Sequence, residues 1–252
     1  MKIFSFSYTQ WLLAVWLCVF SNTSLSNGDF MRIAVASNFV EPLREIVSAF
    51  EAQYDASVKI SAASSGKHYA QIRHGAPFDV FLSADEDKVD RLISSGQVLA
   101  TDSLIYSQGL LALYSNKPQF WPVTLKTLQH TNVRLAIANP KLAPYGLAAK
   151  SLLDNIKLDP STRIITGENI AQTFHFIHSG GADIGLVALS QLMQTQAHKQ
   201  YHLIPIDSYP PILQKAAVLS ASHHIKEARR FLAFLSRETA RSIIQSYGYQ
   251  TP

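Results

Sequence analysis

From residue 32 onward, short apolar runs alternate with stretches whose apolar positions recur at helical spacing. Arg32-Ile33-Ala34-Val35-Ala36 reads as a strand. The segment after it carries Leu43, Ile46, Val47 and Phe50 at i, i+3, i+4 and i+7, one face of a helix. Val58-Lys59-Ile60 then reads as strand, residues 66–74 as helix and Asp79-Val80-Phe81-Leu82 as strand, with Val89, Leu92 and Ile93 marking another helix. A fourth strand is predicted around Gly109-Leu110-Leu111-Ala112-Leu113, ending in the break at Asn116-Lys117-Pro118.

A second alternating unit follows that break. It contains strands at residues 135–138, 163–165, 184–187, 202–204 and 216–219, with helices over roughly 144–156 and 170–177. The chain ends in two helical patterns, one on Ile225, Ala228, Phe231, Leu232 and Leu235, the other on Ala240, Ile243, Ile244 and Tyr247. Strands alternating with helices predict an α/β protein of two units, with helices covering parallel sheets on both faces. No repeat or low-complexity tract stands out.

The first 26 residues break this rhythm. Lys2 is their only charge, ten apolar residues run from Trp11 to Phe20, and small polar residues end at Ser24-Leu25-Ser26. That pattern predicts a secretory signal over 1–26, the apolar run being too short for the ~20 residues that span a bilayer. Its removal takes away Cys18, the sole cysteine, which excludes disulfides, thiol catalysis and cysteine-bound metals in the 226 residues that remain. Removing Lys2 from the 22 basic residues leaves 21 against 18 acidic ones. These charges are scattered without a basic run, so no nucleic-acid partner is expected.

Candidate chemistry lies at four strand-to-helix turns. They are Ala36-Ser37-Asn38-Phe39, Ser64-Ser65-Gly66, Pro140 through Gly146, and Thr166-Gly167-Glu168-Asn169-Ile170. Each offers hydroxyl or amide side chains, or a proline at a first helical position, where backbone N–H groups lack partners. Ser and Asn there are ordinary caps when taken singly. At the carboxyl ends of strands in one cleft, however, four such turns would form an anion site without any lysine or arginine.

In order along the chain, Ala34-Val35-Ala36-Ser37-Asn38-Phe39, Ser64-Ser65-Gly66, the run from Gly75 to Asp85, Ala143-Pro144-Tyr145-Gly146 and Gly167-Glu168-Asn169-Ile170 resemble the periplasmic molybdate-binding proteins of ABC transporters. The resemblance implies a two-lobe periplasmic binding protein of type II, each lobe a mostly parallel sheet flanked by helices, with ligand in the interlobe cleft. Lobe 1 would comprise 27–113 plus 217–252, and lobe 2 would comprise 114–216. It implies a monomer that takes a small oxyanion, molybdate or tungstate, needs no cofactor, and partners an ABC transporter permease with its ATPase. By matched motif the ligand contacts fall on Ser37, Asn38, Ser65 and the backbone N–H groups of Tyr145 and Ile170. Pro144 has no N–H to offer, so the next donor along that turn belongs to Tyr145. Some relatives place a Tyr hydroxyl where Ala188 stands, a contact this chain lacks.

Three other readings compete. Ser64-Ser65-Gly66-Lys67 fits the S-x-x-K of penicillin-recognising enzymes, with Tyr114-Ser115-Asn116 beside it, but no K-T-G or K-S-G exists and the α/β alternation does not suit that fold. A binding protein rather than an enzyme is therefore expected. His198 with His202, and His175 with His178, have the spacing of shared helix faces. Neither pair has the Glu of H-E-x-x-H, so surface histidines are expected and no protein-bound metal. The same scaffold could also take sulfate, phosphate or a small organic anion.

Overall fold

The computed structural model describes residues 30–252 apart from 131, 194 and 196–199. The predicted secretory segment and His198 lie outside the described residues. No helix among the described residues is long and apolar enough to cross a membrane.

Strand β1 (Met31–Ala36) leads through a single 3-10 turn, Ser37–Phe39, into helix α1 (Val40–Gln53). Next come β2 (Val58–Ala63), α2 (Ser65–Arg73), β3 (Val80–Ser83) and α3 (Asp87–Ser94). Then follow β4 (Ser103–Gly109), β5 (Leu111–Tyr114), α4 (Leu125–His130), β6 (Arg134–Ala138), α5 (Pro144–Asp154), β7 (Arg163–Gly167) and α6 (Ile170–His178). The last elements are β8 (Ile184–Ala188), β9 (Tyr201–Leu203), β10 (Ile212–Val218), α7 (Ile225–Phe234) and α8 (Glu238–Ser246).

Two five-stranded sheets result, ordered β2-β1-β3-β10-β4 and β7-β6-β8-β5-β9. The strands that lead into the candidate turns pair in parallel, β1 with β2 and β6 with β7. Strands β10 and β5 run antiparallel to both their neighbours, while the other four strands of each sheet point the same way, so each sheet is mostly parallel with one reversed strand. The alternating residues Ile33 and Val35 of β1 pack with Leu43, Ile46 and Phe50 of α1 and with Phe231 and Ile244 of the last two helices. The C-terminal helices thus return to the first sheet. Its other face holds Ala34 and Phe81 against Ile72, Val89 and Leu92. The second sheet is covered likewise, by α5 on one face and α6 on the other.

The matching strand orders reveal an internal repeat that the sequence does not announce. Arg32-Ile-Ala-Val-Ala in β1 corresponds to Arg134-Leu-Ala-Ile-Ala in β6. At the start of each strand an aspartate carboxylate accepts the arginine N–H, Asp79 from Arg32 at 2.6 Å and Asp183 from Arg134 at 2.8 Å.

The fourth predicted strand is two strands in different sheets. β4 closes the first sheet, the chain crosses at Leu110, and β5 enters the second. Residues 111–113, predicted for the first lobe, therefore sit in the second sheet, while 212–216 sit in the first. β4 escapes a periodicity reading because its buried positions include Ser107 and Gly109 beside Tyr106, so no apolar alternation marks it.

Candidate functional site

In each sheet the two turns that carry candidate residues are neighbours. Ala36 lies opposite Ala63 in the β1–β2 ladder, so the Ser37 and Ser65 turns leave the first sheet side by side. Ala138 lies opposite Gly167 in the β6–β7 ladder, which does the same for the Tyr145 and Ile170 turns.

Hydrogen bonds join the two pairs across the gap between sheets. Ser37 Oγ donates to Asn169 Oδ1 at 3.2 Å and lies 3.4 Å from the Ala171 N–H. The Gly66 N–H donates to the Leu142 carbonyl at 2.8 Å. A Cβ at Gly66 would stand 2.9 Å from that oxygen, so only glycine permits this approach. Ala36 and Ala84 of the first unit pack into the same apolar cluster as Tyr145 and Ile170. The four turns form one ring.

Donors remain unspent inside it. Among the described residues no acceptor engages the backbone N–H of Ser37, Ser65, Tyr145 or Ile170. Two adjacent serines divide the work at the start of α2. Ser64 caps the helix by accepting the Lys67 N–H at 3.3 Å, while the fully buried Ser65 accepts the Ala84 N–H at 2.9 Å and keeps its own proton to give. Asn169 caps α6 by accepting the Gln172 N–H at 3.0 Å. At α5 the cap position is Ala143 with Pro144 after it, and Tyr145 supplies the first N–H of the helix.

Asn38 is placed differently from the other four. Its amide donates to Gln214 Oε1 and to the Tyr249 hydroxyl, both at 3.0 Å. Its carbonyl lies 3.1 Å from Ser190 Oγ and 2.8 Å from the Tyr249 hydroxyl. Both side-chain protons are committed to this buried network, so Asn38 has only its backbone to turn toward the ring. Tyr106 joins the network through Gln214 at 2.9 Å, and burial raises its phenol, with those of Tyr145 and Tyr249, well above the usual tyrosine range. Gln214, Ser190 and Tyr249 went unnoticed in the sequence, being single polar residues in otherwise ordinary strand, turn and tail segments. Gln191 was missed as well. Its side chain accepts the Ala188 N–H at 3.1 Å and donates to the Ile170 carbonyl at 3.1 Å, steadying the Ile170 turn.

The charges of these turns face outward. Lys141 is exposed, and the Lys67 ammonium sits 3.8 Å from Glu168 rather than on Ser64, so the S-x-x-K spacing assembles no serine–lysine pair. His175 and His178 are exposed on α6, and no group of three metal-ligating side chains occurs among the described residues. Neutral donors thus gather where two helices from each unit begin. Such a ring suits a small anion, because unsatisfied N–H groups and aligned helix dipoles favour negative charge without a counter-ion.

The family profile described as bacterial extracellular solute-binding protein matches residues 31–250. The chain is 35% identical to the molybdate-binding protein ModA of Azotobacter vinelandii over 229 residues, covering 87% of this chain and 89% of that protein. It is 35% identical to ModA of Rhodobacter capsulatus, covering 86% and 87% respectively. Among solved structures, the Azotobacter vinelandii periplasmic molybdate-binding protein superposes with a TM-score of 0.83 at 34% identity, over 88% of this chain and 99% of that one.

Proposed function

Since this chain belongs to the ModA-type molybdate-binding group of the bacterial extracellular solute-binding proteins, we propose that it captures molybdate or tungstate in the periplasm and delivers it to the permease and ATPase of an ABC transporter. The observation that carries this reading is the ring of four turns with unspent N–H groups, tied together from both sheets. We assign the ligand contacts to the hydroxyls of Ser37 and Ser65 and to the N–H groups of Asn38, Tyr145 and Ile170. The two lobes are built on the two sheets, and the chain crosses between them at Leu110 and again between Ile204 and Pro211.

Energetics favour neutral donors here. Burying an uncompensated charge costs tens of kcal/mol in a low-dielectric medium, so the dianion must be surrounded by hydrogen bonds. Each such bond to a charged group returns about 1.5–3 kcal/mol net. Five to seven of them would support a dissociation constant on the order of 10 nM, about −11 kcal/mol. Donors fixed on helix starts also select by size, since sulfate is smaller than molybdate and leaves some of them out of reach.

Titration calorimetry of the secreted protein with molybdate, tungstate, sulfate and phosphate tests the proposal. One-to-one binding of the first two, with the others far weaker, is expected. Sulfate binding as tightly as molybdate would overturn the specificity, and no binding of any of the four would overturn the function.

A further inference from the structure

Tyr145 meets the ring of donors with its backbone and the opposite sheet with its phenol. We propose that this second contact is a closure gauge, in which the phenol seats against Gly109 and the absent side chain there lets the two lobes meet around the anion. The inference rests on the anion-binding reading above and assigns Gly109 and the Tyr145 ring as positioning residues for it.

Gly109 is the last residue of β4, one step before the chain crosses to the second sheet. A Cβ built on it would stand 2.0 Å from the Tyr145 hydroxyl oxygen and 2.9 Å from the ring carbon that bears it. The nearest of these distances is far below any real contact, and the atoms belong to a stiff ring rather than to the loose end of a flexible chain. Gly109 lies within a strand and needs no left-handed backbone, so conformation does not call for glycine here. Space does.

Shape, not hydrogen bonding, makes the contact. The Tyr145 ring is 1% exposed, and its hydroxyl makes no hydrogen bond of ordinary length, though the Tyr249 hydroxyl lies close enough to act on it. The nearby Gln214 Nε2 likewise makes none and would lie 2.8 Å from the same Cβ position. Because Pro144 and the first turn of α5 hold the Tyr145 N–H and its ring in one rigid unit, a ring kept out of this socket also keeps the N–H from the anion. A methyl at 109 would thus prop the lobes apart, while within its own sheet it meets only the far end of the Gln214 side chain.

A double-mutant cycle with molybdate decides the matter, using the wild type, Gly109→Ala, Tyr145→Leu and the combination. Leucine keeps the backbone N–H but ends short of the phenol oxygen. Calorimetry gives affinity, small-angle scattering with and without molybdate gives closure, and ligand-free melting reports the fold. Gly109→Ala should lose at least tenfold in affinity and most of the compaction, with ligand-free melting unchanged. In the Tyr145→Leu background the same substitution should change affinity less than twofold. Wild-type affinity in Gly109→Ala would overturn the gauge, as would an equal loss in both backgrounds, which would place the effect in the strand itself. A lowered ligand-free melting temperature without rescue by Tyr145→Leu would do the same, and so would complete loss of binding in Tyr145→Leu alone. A wild type that binds no molybdate would overturn the function proposed above together with the gauge.

Discussion

Ser37 and Ser65 occupy equivalent turns, yet replacing them with alanine should have different consequences. Ser65 Oγ accepts the Ala84 N–H at 2.9 Å, a bond within the first unit between two buried residues. Ser65→Ala leaves that N–H unsatisfied whether or not ligand is present, at a cost of about 1–3 kcal/mol. For a protein of this size each kcal/mol moves the melting temperature by about 2–4 °C, so the ligand-free protein should melt about 2–12 °C lower. Ser37 Oγ touches only Asn169 and Ala171, both in the second unit. In an open, ligand-free protein these contacts are absent, so Ser37→Ala should leave melting unchanged to within about 0.5 kcal/mol. Both variants should lose one hydrogen bond to the anion, about 1.5–3 kcal/mol, or roughly tenfold to 140-fold in affinity. Calorimetry with molybdate and ligand-free thermal melts check both effects. Unchanged affinity in the two variants would refute the site. A ligand-free destabilisation by Ser37→Ala equal to that of Ser65→Ala would refute the open state.

Tyr145→Phe removes a buried hydroxyl that makes no hydrogen bond of ordinary length, so calorimetry should find affinity within about 1 kcal/mol of wild type; a loss above about 2 kcal/mol would make the hydroxyl itself a ligand. Lys67→Ala breaks an exposed pair with Glu168 and should alter molybdate affinity by less than about 1 kcal/mol, whereas a large loss would mean that a cation serves the site. Affinity should be flat between pH 6 and 8, since burial holds the His68 imidazole below its usual range and the proposed contacts do not titrate there. The Arg134 guanidinium and then the Lys117 ammonium hold Asp183 below the ordinary carboxylate range. A carboxylate lowered by folding stabilises above its unfolded value and loses that contribution as pH falls. Asp183→Asn should therefore cost about 1–3 kcal/mol in denaturant melts at pH 7, and the difference should shrink below about pH 4.

How much of this was legible depended on whether a residue's role was local. The strands and helices around Leu43, Phe50, Leu135 and Phe231 follow from apolar spacing, and helix-start chemistry marks Ser65, Pro144 and Asn169 in the sequence itself. That four such turns close into one ring depends on strand order, which no local pattern encodes; the family motifs supplied it. Asn38 shows the limit most clearly. Its place in the motif suggests a donor to ligand, but Gln214 and Tyr249, 176 and 211 residues away, take both of its amide protons. The β4 strand and the socket at Gly109 were hidden for the same reason, since their buried positions are small or polar and gain meaning only against Tyr145 from the other unit.

In the proposed complex a tetrahedral dianion is held by neutral groups at four helix starts, with no lysine, arginine or histidine against it. An anomalous-scattering crystal structure of the protein with molybdate tests this most directly, because molybdenum is located without reference to the protein atoms. One strong peak is expected inside the ring, with ligand oxygens at hydrogen-bond distance, about 2.7–3.2 Å, from Ser37, Ser65 and the N–H groups of Tyr145 and Ile170. A peak elsewhere, such as beside Arg32 and His223 at the opposite ends of β1 and β3, where a cavity of about 550 Å³ opens, would contradict it.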